Sequence, residues 1–474
     1  MSGDLWARAS SALGWSFFNT IASRLGTLAI GIVLARLLGP EQFGVFAVAM
    51  VALLAVLSFN ELGVSLAIVR WPGEPREIVP SVMTISIAMS TLLYGVSYVA
   101  APAFCAAMGA PEATDVVRTL GLSVIISGCV ATPAALLQRA FLQGRRTIAD
   151  QVNNWLGAGV SIALALAGWG AMSLAVGRIA GALASGVLFF VFCPEPVRIG
   201  FDREVAGRLL RFGLPLAGSS IVVFAVTYVD QLIVGWMLGP AAVGLYVLAF
   251  NLSNWPVGVF SQPVRQVAPA AFARLQDDPP AMRSAFLAAF GLLAAITLPM
   301  CLLMSGAARP IIGFVYGEPW LGAAGALAWL GVFAALRVLY ELIYDFFVVL
   351  ASSRVVFTVQ VVWLVALLPA LFVGTSQWGV AGAAAAHVAV ASLVVLPLYL
   401  RELRRAGLGV GAMASRVVVP LAAALAVGGT ALAVQSVMTD RFLILVVASV
   451  VALGVVGVLM LRMRPVLAGL RGTG

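Results

Sequence analysis

Apolar residues in this chain do not alternate with polar ones. They run in blocks of about twenty or more, separated by short clusters of Pro, Gly and Arg. A helical block of that length crosses the hydrocarbon of a bilayer, whereas a transmembrane barrel would show short alternating segments. Cutting at the clusters predicts about fourteen spans. Their ranges are 12–36, 43–69, 78–102, 115–137, 147–168, 171–193, 212–238, 242–264, 284–304, 322–349, 355–374, 379–399, 415–435 and 441–461. The second is expected to unwind near "NELG" (60–63). The predicted class is an all-α integral membrane protein.

Composition excludes a water-facing fold. The chain is 62% hydrophobic and 10% charged, with a mean hydropathy of +1.07, against about 25% charged residues in a soluble domain. All 28 basic residues are arginine, either from a GC-rich coding bias or because arginine stays charged and binds phosphate bidentately. The four cysteines lie scattered in apolar stretches and predict neither a disulfide framework nor a metal site.

The arginines also orient the spans. One set of loops holds Arg70, Arg76, Arg139, Arg145, Arg146, Arg198, Arg203, Arg208, Arg211, Arg274, Arg283, Arg401, Arg404, Arg405 and Arg416; the opposite set holds Arg36, Arg309 and Arg441. Both termini are therefore expected in the cytoplasm, and the N-terminus lacks a signal-peptide cleavage pattern. Net charge of +9 follows mostly from arginines near anionic headgroups. Membrane lipids are the expected surroundings, and no nucleic acid is an expected partner.

The chain repeats itself. "LARLLGPEQFGVFAVAM" (34–50) aligns without a gap to "VGWMLGPAAVGLYVLAF" (234–250), and "GWGAMSLAVGRIAGAL" (168–183) echoes "QWGVAGAAAAHVAVAS" (377–392). The first pair lies between spans 1 and 2 and again between spans 7 and 8, so the duplicated unit is about six spans. An even-numbered unit keeps both copies in one orientation, related by an axis along the membrane normal. The expected plan is two parallel six-helix lobes around a central cavity, 1–193 and 212–400. A cytoplasmic amphipathic connector (194–211) joins them, and two further helices with a cytoplasmic tail follow (401–474). The LGP turn itself reads as backbone geometry, not as a binding site.

At these residues the chain resembles the bacterial polysaccharide and O-antigen flippases of the Wzx type. These belong to the superfamily that also holds multidrug and toxin extrusion transporters and the lipid II flippase. The resemblance rests on "LARLLGPEQFGVFAVAM" with "NELGVSLAIVR" (60–70), on "LLQRAFLQGRRTIAD" (136–150) and on "QPVRQVAPAAFARLQDDPPAMR" (262–283). It implies movement of an undecaprenyl-diphosphate-linked oligosaccharide from the inner to the outer leaflet of a bacterial inner membrane, by alternating access. It also implies H+ or Na+ coupling, no organic cofactor, and work beside a polysaccharide polymerase or export machinery.

Charges inside spans are costly and usually face a cavity or a partner. Arg24 lies mid-span 1 on a face with Ser16, Thr20, Ser23 and Thr27, either as a diphosphate site or in a structural ion pair. Asp230 in "TYVDQLIVG" could carry a coupling ion or pair with Arg24 across the lobes. Arg337, Glu341 and Asp345 recur every four residues beside Tyr340 and Tyr344. They form either a self-satisfied helical pair or a polar wall for sugar, with Glu341 and Asp345 as gating candidates and Arg337 and Tyr344 as contacts. Arg178 and Arg265 complete the substrate-binding candidates, although Arg265 also suits an interfacial role. Arg118 is expected to snorkel, and the lone His387 to pack between helices.

Three other readings compete. A drug antiporter would want a carboxylate on span 1, which has none. A lipid II flippase differs only in headgroup. A glycosyltransferase needs a paired acidic motif in the first outer loop, where Glu41 stands alone, and a polymerase or ligase needs a large outer loop with His and Arg. The chain is therefore not expected to be an enzyme.

Overall fold

The computed structural model describes the backbone of residues 2–60, 67–69, 71 and 73–471. Side chains at 2–25, 60, 210, 212, 214–219, 221–222, 260, 263, 266–267, 270–271 and 463–471 lie outside the description. Among the described residues there is no strand. That follows from the medium, because in hydrocarbon a helix satisfies its own backbone groups and an open sheet edge does not.

In chain order the helices are α1 (Ser2–Asn60), α2 (Val79–Ala107), α3 (Thr114–Arg139), α4 (Gln143–Leu166), α5 (Ala171–Val191), α6 (Arg203–Leu238) and α7 (Pro240–Pro256). A π-helical turn, Val257–Ser261, leads into α8 (Gln262–Arg274). Then come α9 (Pro279–Gly306), α10 (Ala308–Val315), α11 (Ala324–Val349), α12 (Ser353–Val390), α13 (Leu396–Arg405), α14 (Val410–Val437) and α15 (Arg441–Arg471). Ten segments among the described residues are long and apolar enough to cross a membrane. Two of these, Gly26–Phe59 and Ser353–Arg405, contain a backbone break, at Gly39 and at Trp378–Gly379. Helix α4 is long enough but does not reach that apolarity.

The chain forms two compact units, Met1–Tyr228 and Val229–Gly474. Their boundary lies inside α6, not at the loop before it. The expected amphipathic connector is non-helical through 194–202 and becomes helical at Arg203. Asp202 accepts from the backbone N–H of Glu204 (2.8 Å) and Val205 (3.0 Å), and so caps α6. The apolar face of that first stretch, Val205, Ala206 and Leu209, is buried with Ile78, Val79 and Val82 at the start of α2. Arg139 donates to the carbonyls of Ile68 (2.6 Å), Trp71 (2.9 Å) and Gly73 (2.9 Å), pinning the preceding loop.

The sequence repeats are also repeats of backbone geometry. Gly39 has φ 70°, ψ 173°, and Gly239 has φ 79°, ψ −177°, each followed by Pro at the first helical position. Gly170 (φ 54°, ψ −139°) and Gly379 (φ 58°, ψ −140°) match in the same way. These combinations are open to glycine and closed to almost everything else. A third pair was not read from the sequence, because its residues differ. After α3, N–H groups of 140, 141 and 142 donate to carbonyls of 136, 138 and 137. After α11, those of 350, 351 and 352 donate to 346, 348 and 347. Phe141 (φ 56°) and Ala351 (φ 52°) both hold the left-handed conformation there.

Candidate functional site

Among the described residues of the second unit, two sets of charged and polar side chains meet inside the helices. In the first, Arg265 is carried by α8 just past the π-helical turn, and Arg337, Glu341 and Asp345 lie on α11. Arg265 grips Asp345 with two donors, Nε to Oδ2 at 2.7 Å and Nη2 to Oδ1 at 2.9 Å. Its Nη1 reaches Glu341 Oε2 at 3.1 Å. Glu341 Oε1 accepts from Arg337 Nε at 3.0 Å, and Arg337 Nη1 donates to Asn254 Oδ1 at 2.7 Å. Two guanidinium and two carboxylate groups leave the set neutral. The side chains keep 12% to 31% of their exposure, so the network is partly screened and its stabilisation is modest. Tyr344 stands beside it, half-buried. Tyr340, expected on a sugar-facing wall, is buried and donates to the Ala391 carbonyl at 2.9 Å.

The second set is more deeply buried. Asp230, Tyr246 and His387 are 2%, 0% and 6% exposed. Asp230 accepts from the Tyr246 hydroxyl at 2.7 Å and from the Gln231 N–H at 2.8 Å. His387 Nε2 lies 3.4 Å from Asp230 Oδ2, without the alignment of a hydrogen bond, and its ring packs on Phe333 at 4.8 Å. His387 is thus a packing residue, as its surroundings in sequence suggested, and it also faces a carboxylate.

The first unit holds a charge of another kind. Arg178 stands in the middle of α5 with its side chain exposed, and it has no acidic partner among the described residues. Arg118, by contrast, lies over the Tyr98 ring at 4.3 Å and donates to the Tyr98 carbonyl at 3.3 Å. The Arg24 side chain, and with it the idea of an Arg24–Asp230 pair, lies outside the described residues, as does Glu61. The carboxylate of Asp230 is engaged by Tyr246 within its own unit.

The repeat gives these positions a common frame. From the Trp169–Gly170 and Trp378–Gly379 pairs, Arg178 occupies the place of His387. From the LGP pairs, Ile30 and Phe46 stand where Asp230 and Tyr246 do. One copy therefore keeps an imidazole with a carboxylate and a phenol, and the other carries a guanidinium at the same place and apolar residues at the places of the other two. Sequence reasoning missed Tyr246 and Asn254. The change from Phe46 to Tyr246 inside a duplicated motif was the available signal for the first; nothing local marks the second.

The family described as "Polysaccharide biosynthesis protein" matches residues 33–325, more than half of the chain and across the boundary between its units. The chain belongs to this family. It is 25% identical over 321 residues to the succinoglycan biosynthesis transport protein ExoT of Rhizobium meliloti, a match covering 67% of this chain and 63% of that protein. It is 22% identical over 383 residues to the lipopolysaccharide biosynthesis protein WzxC of Escherichia coli, covering 80% and 77%. Among solved structures, the lipid II flippase MurJ superposes with a TM-score of 0.76 at 14% identity, over 94% of this chain and all of that one. An inward-facing multidrug resistance MATE transporter does so with 0.62 at 18% identity, over 80% and 93%. At those identities the likeness is one of fold: this chain has the all-helical membrane fold of these transporters.

Proposed function

We propose that this protein is a flippase for lipid-linked oligosaccharides, carrying undecaprenyl-diphosphate-linked repeat units from the inner to the outer leaflet of a bacterial inner membrane. The observation that carries this reading is the family match across both units, with relatives named for the transport or biosynthesis of surface glycans. The two relatives are named for different products, so the sugar of the cargo is not inherited from either.

Arg178 is the described side chain that best suits the diphosphate. An exposed arginine in the middle of a membrane-length helix is expensive against lipid and tolerable in a water-filled path. Guanidinium offers phosphate a bidentate fork that stays charged at any relevant pH. Arg24 serves the same role on this reading. Alternating access moves the sugar and diphosphate through the protein while the polyprenyl chain stays in lipid. The arginine-rich loops and both termini face the cytoplasm, and the partners are the polymerase and export machinery that receive the unit. The engaged geometry of Arg265 and Arg337 favours a structural or gating role for both, with Glu341 and Asp345 as their counter-charges. Asp230 with His387 is the candidate carrier of a coupling ion. The chain carries its cargo without chemical change.

The test is deletion of the gene in its host, recovery of lipid-linked glycans and measurement of their sidedness with an impermeant oxidant. Completed units trapped on the inner leaflet support the flippase. Normal sidedness with new drug sensitivity would move the protein to the antiporters, and trapped lipid II would name a different headgroup.

A further inference from the structure

Helix α4 presents one face that lipid does not explain. Thr147, Asp150, Asn154 and Trp155 are exposed and Gln151 is half-buried, and at helical spacing the five share one face. The matched turns after α3 and α11 place residues 147, 151 and 155 opposite Phe357, Val361 and Val365 of α12. There Phe357, Val361 and Val365 are exposed and apolar, continued by Leu368 and Phe372, as contact with hydrocarbon requires, while Gln360 keeps a polar group at the place of Asp150. In α4, Thr147, Gln151 and Asn154 replace Phe357, Val361 and Leu364, beside one aromatic ring. The Trp155 indole N–H donates to Gln151 Oε1 at 3.1 Å, which fixes the ring. The ring lies against α1 at Gly26, where a Cβ would stand 2.7 Å from Trp155 Cη2. Backbone contact sets the height of α5 beside α4: a Cβ on Gly177 would lie 2.6 Å from the Gly157 carbonyl, and one on Gly181 2.4 Å from that of Asn153. Arg178 therefore stands within about one turn of the height of Trp155.

We infer that this face of α4 is a carbohydrate subsite, with Trp155 as the platform on which a sugar ring stacks and Asp150, Gln151 and Asn154 as partners for its hydroxyls. The chemistry is specific. A sugar offers an apolar C–H face to an aromatic ring and a rim of hydroxyls to amides and carboxylates. Asp150 lies 3.9 Å from Arg146 Nε and still offers an oxygen to a hydroxyl, and a lipid chain has no use for the carboxylate or the two amides. The subsite rests on the flippase reading, and it places a sugar of the repeat unit at about the height of the arginine that takes its diphosphate.

The experiment uses the full chain, restored to the deletion host, with glycan export as readout. Trp155→Ala should lower export about tenfold, the effect of losing one well-made contact, while Trp155→Phe retains a ring and most of the export. Gln151→Ala and Asn154→Ala should each give smaller losses. Val365→Ala, at the matching place in the second unit, should export normally, and membrane levels of each variant serve as the folding control. For direct binding, the purified chain in nanodiscs is titrated with the free oligosaccharide released by mild acid from the host's own lipid-linked glycan. Saturation transfer to its ring protons should be lost in Trp155→Ala and kept in Val365→Ala. Normal export by Trp155→Ala, or equal loss in both variants, overturns the subsite while the flippase stands. Absence of trapped glycan in the deletion strain overturns the flippase itself.

Discussion

Gly39 and Gly239 hold φ of 70° and 79°, and Gly170 and Gly379 hold 54° and 58°, yet the side chains carried on these matched frames differ in kind. In the second unit the residue at the repeat position is His387, buried against Asp230, which also accepts from Tyr246. In the first it is Arg178, exposed, with Ile30 and Phe46 at the places of its would-be partners. The helix after the left-handed turn differs too: Phe357, Val361 and Leu364 of α12 stand where α4 has Thr147, Gln151 and Asn154 beside Trp155. Duplication preserved the turns because glycine conformation is hard to replace, and it left the faces free to diverge. In one copy the buried carboxylate at this place is engaged within its own unit. In the other, Arg178 is exposed and has no acidic partner among the described residues.

The sharpest way to break this comparison is to exchange the residues at the repeat position. Arg178→Ala should reduce glycan export at least tenfold, the scale of a lost charge-assisted contact. Arg178→Lys should restore part of it, and Arg178→His, which installs the residue of the second unit, should fail like alanine. Full export by the histidine variant would show that the two positions do the same work. Arg24→Ala is expected to lose export to a similar degree at unchanged membrane level.

The closed network predicts a stability effect. Asp345→Asn removes one charge from the bidentate pair with Arg265 and should cost about 1–2 kcal/mol, less than a fully buried pair because both groups keep some solvent. Thermal unfolding in detergent would read it, and the double variant Arg265→Ala/Asp345→Ala should lose less than the sum of its single changes. An unchanged midpoint in Asp345→Asn would leave Arg265 free to serve the cargo.

The smallest expected difference lies between the two turns. A Cβ at Gly39 or Gly239 meets no atom within 4 Å, so Gly39→Ala and Gly239→Ala carry only the backbone penalty, about 1–3 kcal/mol each. The two midpoints should fall alike. A large inequality would mean that one turn has a role beyond geometry.

Much of the fold was legible because span length and turn chemistry are local. The span expected at 284–304 is α9, Pro279–Gly306, and that at 415–435 is α14, Val410–Val437. The spacing of Arg337, Glu341 and Asp345 put them on one face, which the structure keeps. What covers that face was not legible: Arg265 comes from 80 residues away in sequence, and periodicity says nothing about such a partner. Tyr340 looked available for sugar for the same reason, and its hydroxyl is taken by Ala391. In α4 the difficulty was reversed. Gln151, Asn154 and Trp155 were passed over as ordinary members of a span, because only their exposure, and the apolar residues at their places in the duplicate, mark them as out of place.

The most direct test is the sidedness of lipid-linked glycan in the deletion host carrying Arg178→Ala, set against the same host carrying the unaltered chain. The account predicts completed units protected from an impermeant oxidant in the variant and exposed to it with the unaltered protein, at equal membrane levels of the two. Units equally exposed in both strains would contradict it, and Arg178 would then be an arginine that the cargo does not touch.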